Sequence, residues 1–558
     1  MPGRPHIRHE IRDLKDNYPD HWNLYILALR AFQQMDQSNP LSSYKILGIH
    51  GKPYEIWQEA EGVANPGPGS YCPHSNIMFA TWHRPYLALF EQELWKQVKA
   101  IAEEALVDRK QWLAAADSFR IPYFDSGLGI KGGELPDFFT NPYISVTGPD
   151  GVPNVIPNPL FQYEFHPVIP EDFNEKWAQM STTVRYPTTK DSKGQSQPQF
   201  FRQNFFGARR MFQNKAAEVF RLSNYNEFVT ALEEFHGWMH STVGGAEGHF
   251  YPVEYSAFDP VFMLHHAHVD RYVAIFQAMH PETWVEPADS NGGNFWQPAH
   301  ATVDATWGLQ PFWKDDQSFY SSDDIRDTAV FGYAYPETQP WNYMSEEDWR
   351  NAVRAYVALT YSPTARSTLT ESDTQGGTSL AHLLMDDTFV DWSIAITAST
   401  KYLPGTFHVV FSFDGQGSVD DGSSMVGQWM QLRPEGANGA WKAKREGRGT
   451  KRINSLERTK NGTLSVTSSL LDEVAAGRLE SLDEGVVVPF LKEHLTWSVI
   501  GEGGSQLGGD ELDVFVIEVI STNVRIPKDP AQMLQYSDEV TAHPEVTEGK
   551  PGGSRPML

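Results

Sequence analysis

Cysteine is almost absent from this chain: one residue, Cys72, stands among 558. A lone cysteine excludes any disulfide framework within the chain, and with it the usual mark of a small secreted scaffold. Cys72 lies two residues before His74. Its role therefore has to be sought in the residues beside it rather than in a disulfide.

Long apolar runs and positive charge are also scarce. No stretch of about 18 apolar residues occurs, so no membrane-spanning helix is expected. The N-terminal sequence is charged and lacks the apolar segment of a secretory signal, which predicts a cytoplasmic protein. The 45 Lys and Arg residues oppose 71 Asp and Glu, giving a formal net charge of -26. This charge argues against nucleic acid and anionic membranes as partners.

Aromatic residues, by contrast, are plentiful, at 13% of the chain with 17 Trp. This composition is sufficient for a substantial core. Residues 132–210 are rich in Pro, Asn and aromatics and are predicted to form long ordered loops. Apolar residues at helical spacing predict helices over 20–36, 82–106, 109–118, 225–243, 260–278 and 340–361.

The pattern changes near residue 364. Short β-like segments separated by glycine-rich turns follow, and they predict a small β-sandwich or barrel. The expected fold class is mainly α, followed by this β-sandwich-like domain. We predict a mainly helical domain over 1–363, a linker over 364–385 with a polar stretch at 364–380, a β-rich domain over 386–536, and a mobile tail over 537–558.

Histidines form the most informative pattern, because they fall into two clusters of three. His236 and His240 are four residues apart on a predicted helix, so they share one face and can bind one ion together. A second helix carries His265, His266 and His268. Adjacent helical residues point about 100° apart, so the three compete for one position. Spacing alone leaves the choice among them open.

The other cluster is less regular. His83 begins a predicted helix, His74 lies in the loop before it, and His50 lies in the segment GIHGKPY. Each histidine taken alone fits a structural role about as well as a metal site. Imidazole suits copper, zinc, iron and nickel, so two triads favour two metal ions held by nitrogen. The metal itself is not fixed by the spacing.

Two longer segments point to a known family. Residues 71–86 (YCPHSNIMFATWHRPY) and 258–271 (FDPVFMLHHAHVDR) resemble the first and second copper motifs of fungal tyrosinases, also called polyphenol oxidases, which are type-3 copper proteins. Arg8 and the tyrosines Tyr333 and Tyr335 resemble residues that bracket the catalytic domain in this family. The resemblance runs from about residue 8 to 340 and continues less closely through the C-terminal domain.

This resemblance implies a four-helix bundle that holds two copper ions, with O2 as co-substrate. It also implies which histidine of the second helix binds metal, because the second His of the pair is the ligand in the family. The implied ligands are His50, His74 and His83 for the first copper, and His236, His240 and His266 for the second.

The resemblance implies roles for residues near the metals as well. Cys72 matches the cysteine that forms a thioether with a ligand histidine, here His74, a bond that would fix the orientation of the ring. Glu233 matches a glutamate that orients a water able to deprotonate a bound phenol. Glu234, one residue further along the helix, is expected at the surface.

Three further positions are implied to shape the substrate site. Phe262 matches an aromatic ring that stacks with substrate, and Val253 matches a small gate residue over the second copper. Position 237 departs from the pattern: many relatives with strong monophenol activity have Asn or Asp there, and this chain has Gly237. Since glycine cannot hold the water, we expect diphenol oxidation to outpace monophenol hydroxylation.

The C-terminal domain shows a second departure. Longer fungal relatives carry a Cys-Ala-Asn-Cys motif linked to copper loading, where this chain reads Gly436-Ala-Asn-Gly439. The resemblance implies that this domain covers the active site and keeps the enzyme latent. Residues 425–432 (MVGQWMQL) are the expected plug of the substrate entrance. An activating protease that cuts within 364–380 would release activity.

The expected activity is the O2-dependent oxidation of o-diphenols or o-aminophenols, with monophenol hydroxylation left open. Small phenols are the expected partners. One alternative is a haemocyanin-like O2-binding protein with a blocked entrance. Turnover on catechol would distinguish an oxidase from such a protein. Another is a histidine-rich zinc hydrolase. Metal analysis would distinguish it from a copper oxidase.

Overall fold

The computed structural model describes residues 4–63, 69–370, 379–399, 406–413, 425–433, 459–501 and 504–554. The N-terminal part of these ranges is mainly helical, and the C-terminal part contains antiparallel sheets. This arrangement confirms the predicted fold class. Within the same ranges, no helix combines the length and apolarity needed to cross a membrane.

Helices around α4 form the core of the N-terminal domain. α4 packs against α2, α5 and α9, while α7 packs against α6 and α9. Numbered along the chain, the helices are Ile11–Asn17 (α1), Pro19–Gln33 (α2), Ser43–Gly48 (α3), Phe79–Glu103 (α4), Arg109–Ser118 (α5), Pro198–Arg221 (α6), Tyr225–Gly244 (α7), Val253–Ser256 (α8), Val261–Met279 (α9), Glu346–Thr360 (α10), Thr364–Thr370 (α11), Thr467–Ala475 (α12) and Glu484–His494 (α13).

The predicted helices occur within a few residues of their expected positions, because each buries a continuous apolar stripe. One long helix was not predicted, since α6 begins inside the region expected to form loops. It starts at Pro198, a position where the missing N–H costs little. Phe201, Phe205 and Phe212 recur at helical spacing along α6 and are buried.

The N-terminal domain also contains short strands, His6–Ile7 (β1), Tyr143–Thr147 (β2), Pro153–Pro157 (β3), Ala288–Asp289 (β4), Thr302–Val303 (β5), Gly308–Trp313 (β6), Phe319–Ser321 (β7) and Tyr333–Ala334 (β8). β1 pairs with β8 in parallel, which joins the beginning of this domain to its far end. Arg8, directly after β1, is fully buried and stacks on Tyr333. Its guanidinium donates to Glu91 (3.0 Å), and Asp270 accepts from the Tyr333 and Tyr335 hydroxyls (both 2.6 Å).

Two four-stranded antiparallel sheets build the described part of the C-terminal domain. Their strand orders are β11-β10-β13-β14 and β12-β9-β15-β16. The strands are Thr388–Ser399 (β9), Phe407–Phe413 (β10), Met425–Gln431 (β11), Thr459–Ser465 (β12), Leu495–Gly501 (β13), Gln506–Leu507 (β14), Phe515–Arg525 (β15) and Gln535–Ala542 (β16).

The structure corrects two expectations about the connecting segments. Residues 364–370 form α11 rather than linker, and Leu369 on this helix is fully buried. Residues 537–554 do not form a free tail, because 537–542 belong to the edge strand β16 and Gly553 bridges to Ile517. Main-chain hydrogen bonds hold much of these polar segments. Their polar composition therefore does not predict that they are ordered. The Gly436–Gly439 segment lies outside the described residues.

The C-terminal domain packs on the helical domain through β11 and α7. Trp429 Nε1 donates to Glu234 Oε1 (3.1 Å), and Lys215 Nζ donates to Glu234 Oε2 (2.6 Å). Glu234 was expected at the surface but is only 3% exposed. The expectation was wrong because the helix pattern alone does not reveal that another domain covers this position.

Two more polar contacts cross between the domains. His408 Nδ1 on β10 lies 2.9 Å from the hydroxyl of Tyr251. Lys460 Nζ on β12 donates to the main-chain carbonyl of Ser75 (3.2 Å), in the loop that also carries His74. The C-terminal domain therefore contacts the segments that carry the predicted metal ligands.

Candidate metal centre

Six buried histidines meet between the central helices. Five of them have no exposed surface, and the side chain of His74 is 1% exposed. They are His83 on α4, His236 and His240 on α7, His266 on α9, His50 just after α3, and His74 in the loop before α4.

The structure assembles the second predicted triad. The ligand nitrogens of His236, His240 and His266 lie within 4.8 Å of one another. Nε2 of His236 is 2.9 Å from that of His240 and 3.2 Å from that of His266. The four-residue spacing on α7 aligns the first two rings, and packing of α9 against α7 supplies the third.

The first triad is more open. Ring centroids are 5.5 Å apart for His50 and His74, 5.6 Å for His50 and His83, and 6.4 Å for His74 and His83. His50 and His83 also form a group with His266, in which the ligand atoms lie within 4.8 Å of one another. The rings of His83 and His266 stack 4.0 Å apart. The two triads therefore adjoin each other.

Main-chain carbonyls orient three of the six rings through Nδ1. The acceptors are Val253 for His50 (3.2 Å), Phe79 for His83 (2.7 Å) and Phe250 for His240 (2.6 Å). A ring that donates from Nδ1 keeps the Nε2 lone pair for a metal, and such outer hydrogen bonds are typical of metal-binding histidines. The buried Nε2 atoms of His50 and His74 have no hydrogen-bond partner among the described residues.

Burial, reinforced by neighbouring imidazoles, keeps five of the rings neutral: His50, His83, His236, His240 and His266. It lowers the pKa of His240 to about 3. The pKa is lowered well below its ordinary value for His50, His83, His236 and His266. Neutral imidazole is the form that binds metal. Both triads consist of imidazole nitrogens, a donor type that suits copper.

α9 carries two further histidines that join none of the described clusters. His268 Nε2 lies 3.2 Å from Asp125 Oδ1, on the side of the helix away from the triads. His265 stacks on His236 with 5.0 Å between ring centroids. Of the three candidates that spacing left open, the structure brings only His266 into the clusters.

Cys72 is buried beside the first triad with a free thiol. Its sulfur belongs to a cluster with His50 and His74, in which the ligand atoms lie within 4.8 Å of one another. The sulfur lies 3.5 Å from Nε2 of His83. Burial raises the pKa of the thiol. The bond between Cys72 and His74 stays a prediction.

The other predicted site residues surround the triads. Phe262 packs its ring against His266 (4.1 Å between centroids) and His50 (4.6 Å). Val253 is buried and holds His50 through its carbonyl. Glu233 Oε1 accepts from the Ser75 main-chain N–H (2.6 Å) and lies 3.3 Å from His74 Nδ1.

Gly237 faces the C-terminal domain. A methyl group built on its Cα would lie 3.5 Å from Cβ and Cγ of Met430. Met430 belongs to the segment 425–432 that the sequence predicted as the plug. The contacts of Ser75 and Lys460 were not predicted, because nothing in their local sequence marks them as neighbours of a metal site.

Known proteins resemble this chain in sequence. The common central domain of tyrosinase matches residues 40–279, and the tyrosinase C-terminal domain matches residues 391–519. A tyrosinase from Neurospora crassa is 30% identical over 99% of this chain and 97% of its own length. The chain belongs to the tyrosinase family. A tyrosinase from Podospora anserina is 36% identical over 64% of the chain and 66% of its own length. Polyphenol oxidase 4 of Agaricus bisporus is 27% identical over 87% and 80%.

Solved structures of the tyrosinase family have the same fold. Latent and active mushroom tyrosinase superposes with a TM-score of 0.79 over 97% of both chains, at 24% identity. Holo-protyrosinase from Aspergillus oryzae gives a TM-score of 0.70 over 96% of both chains, at 19% identity. A haemocyanin unit from Helix pomatia is 30% identical, but over only 45% of this chain. Membership of the tyrosinase family makes the chain an oxidoreductase that acts on phenols.

Proposed function

We propose that this chain is a copper-dependent polyphenol oxidase that uses O2 to oxidise o-diphenols, and by the same chemistry o-aminophenols, to o-quinones. The observation that supports this proposal is the convergence of six buried histidines in two adjoining triads. Monophenol ortho-hydroxylation is an additional activity that Gly237 disfavours.

The donor set fits two copper ions. When bound, the pair accepts two electrons from a diphenol and uses O2 as the final acceptor. The first would be held by His50, His74 and His83, and the second by His236, His240 and His266.

The surrounding side chains would bind the phenol and manage its proton. Phe262 presents an apolar ring beside His50 and His266, which favours an aromatic substrate and excludes water. Glu233 would hold a water for phenol deprotonation. Gly237 offers no side-chain oxygen that could share this water, so the uncharged monophenol would lose its proton less readily than in relatives with Asn there.

The C-terminal domain would keep the enzyme latent. Met430 lies against Gly237, one residue after His236, and its side chain is 1% exposed. A phenol that approached the second triad from this side would meet the Met430 side chain first. We assign Met430 as the plug within the segment 425–432, and we propose that proteolytic cleavage after α11, within 371–380, releases the C-terminal domain.

The test is an assay of the copper-loaded chain on tyrosine, DOPA and 2-aminophenol before and after limited proteolysis, with copper measured per chain. We expect two coppers, low turnover before cleavage and high turnover on DOPA afterwards. Equal activity before and after cleavage would contradict latency. Reversible O2 binding without turnover on any phenol, even after cleavage, would favour the haemocyanin-like alternative.

A further inference from the structure

His74 differs from the other ligands in what holds it. The rings of His50, His83 and His240 are fixed by main-chain carbonyls. His74 lies in a loop without regular secondary structure, and its Nδ1 faces the Glu233 carboxylate at 3.3 Å. Its Nε2 is buried and without a partner among the described residues. This is the arrangement of a carboxylate–histidine pair whose free nitrogen awaits a metal.

Glu233 makes a second contact that fixes its position. The Ser75 main-chain N–H donates to the same Oε1 atom (2.6 Å). Ser75 has a φ of 58°, a left-handed conformation that non-glycine residues adopt only with support from their surroundings. Support comes through the Ser75 carbonyl, which accepts from Asn291 Nδ2 (2.5 Å) and from Lys460 Nζ (3.2 Å). The loop is thereby held so that its N–H and the His74 ring both point at one carboxylate oxygen.

Because Glu233 lies on α7, its contact with His74 connects the two triads. Glu233 lies on α7 one turn before His236, and α7 also carries His240. One rigid helix thus supplies two ligands of the second triad and also holds a ligand of the first. A shift of His74 relative to α7 would change the separation between the two metal positions.

We propose that Glu233 is a positioning residue for His74 and sets the position of the first triad relative to the second. It acts by accepting a hydrogen bond from the Nδ1–H group, which leaves the Nε2 lone pair for the first copper and prevents rotation of the ring. This inference rests on the proposed dicopper function. It is separate from a water-holding role, because it needs only a hydrogen-bond acceptor and not a negative charge.

The two roles are separated by Glu233→Gln and Glu233→Leu. The amide oxygen of Gln can accept from both Ser75 and His74, whereas Leu keeps similar bulk without any acceptor. For Leu we expect the affinity for one of the two coppers to fall about 10- to 100-fold, the effect typical of a lost outer-shell partner. For Gln we expect two coppers at wild-type affinity, even if phenol turnover falls.

The measurement is copper per chain by titration, together with electron paramagnetic resonance. Two coupled Cu(II) ions give no signal, whereas a single remaining Cu(II) gives one. We expect a new signal for Glu233→Leu at limiting copper and none for Glu233→Gln. Glu227→Leu, an exposed position on the same helix, is the matched control and should bind as wild type. Glu233→Ala serves as the second variant if the Leu side chain disturbs folding, as judged by circular dichroism.

Three outcomes are decisive. Unchanged binding of two coppers by both the Leu and Ala variants overturns the positioning role and leaves the proposed function intact. Equal loss of copper in the Gln and Leu variants shows that the charge, not the hydrogen bond, is what matters, and also overturns it. A wild-type chain that binds fewer than two coppers overturns both the inference and the proposed function.

Discussion

The indole of Trp429 on β11 donates its N–H to the carboxylate of Glu234 on α7, at 3.1 Å. The bond crosses from the C-terminal domain to the helix that carries His236 and His240. Trp429 precedes Met430 in the chain, so the same contact holds the predicted plug in place. The attachment of the C-terminal domain and the proposed blocking of the site therefore depend on the same strand.

Removing this hydrogen bond should weaken latency. Trp429→Phe leaves Glu234 Oε1 buried without its donor, a loss worth about 1–3 kcal/mol. Each 1.4 kcal/mol changes a population about tenfold, so the uncleaved chain should oxidise DOPA several-fold to a hundredfold faster. Trp497→Phe, a more exposed tryptophan in the same domain, should leave this activity unchanged. Unaltered activity of Trp429→Phe would show that the bond does not hold the domain.

The buried ion pair between Lys215 and Glu234 should contribute more to the free energy of unfolding than the Trp429 hydrogen bond does. Lys215 is 1% exposed, and Lys215→Met would leave the Glu234 carboxylate buried without its counterion, at a cost of about 3–5 kcal/mol. Adding Glu234→Gln to that variant should restore much of the loss. Urea unfolding measures both changes. Lys314→Met, which breaks an exposed pair with Asp324, should cost at most about 1 kcal/mol.

Position 237 should control the balance between substrates. The space beside Gly237 accepts a Cβ at ordinary contact distance from Met430, so Gly237→Asn can be built without a clash at that atom. In the cleaved chain, we expect the added amide to hold a water near Glu233 and to raise the ratio of tyrosine to DOPA turnover. Gly237→Ala fills the same space without a polar group and should not raise it. An unchanged ratio in the Asn variant would remove Gly237 as the explanation for substrate preference.

Acid should loosen the contact between the domains through His408. Burial lowers its pKa to about 4 from an ordinary value of 6.5. The unfolded chain binds the extra proton between these values, so the contribution of this group is complete above about pH 6.5 and is lost as pH falls toward 4. A shift of this size corresponds to about 3 kcal/mol.

His408→Gln, which does not titrate, should flatten the fall in thermal stability over that pH range. Its polar side chain can keep a hydrogen bond with Tyr251, which separates the effect of charge from that of packing. His382→Gln, at an exposed position just before β9, is the control and should retain the wild-type pH dependence. Identical pH profiles for His408→Gln and wild type would exclude this residue as a source of acid sensitivity.

The sequence predicted the features that depend on local periodicity. His236 and His240 were placed on one helix face by their spacing, and Phe262 one turn before His266. The choice of His266 over His265 and His268 required the family resemblance, because the direction of a side chain depends on which helices pack together.

Features that depend on contacts distant in the chain were not predictable. Glu234 looked like a surface residue because its partner Trp429 is 195 positions away. Ser75, Asn291 and Lys460 come from three separate segments and meet at a single carbonyl. The helix α6 was missed for a different reason: its aromatic residues have helical spacing, but prolines and polar residues around it suggested loops.

The main-chain carbonyls that orient His50 and His240 belong to Val253 and Phe250. A carbonyl is present whatever side chain a residue carries, so these anchors survive substitution as long as the backbone keeps its path. The side chains at these two positions can therefore change while the ligand rings stay aligned. Libraries at position 253 should alter which phenols are accepted at little expense to metal affinity, making this position a starting point for redesigning selectivity.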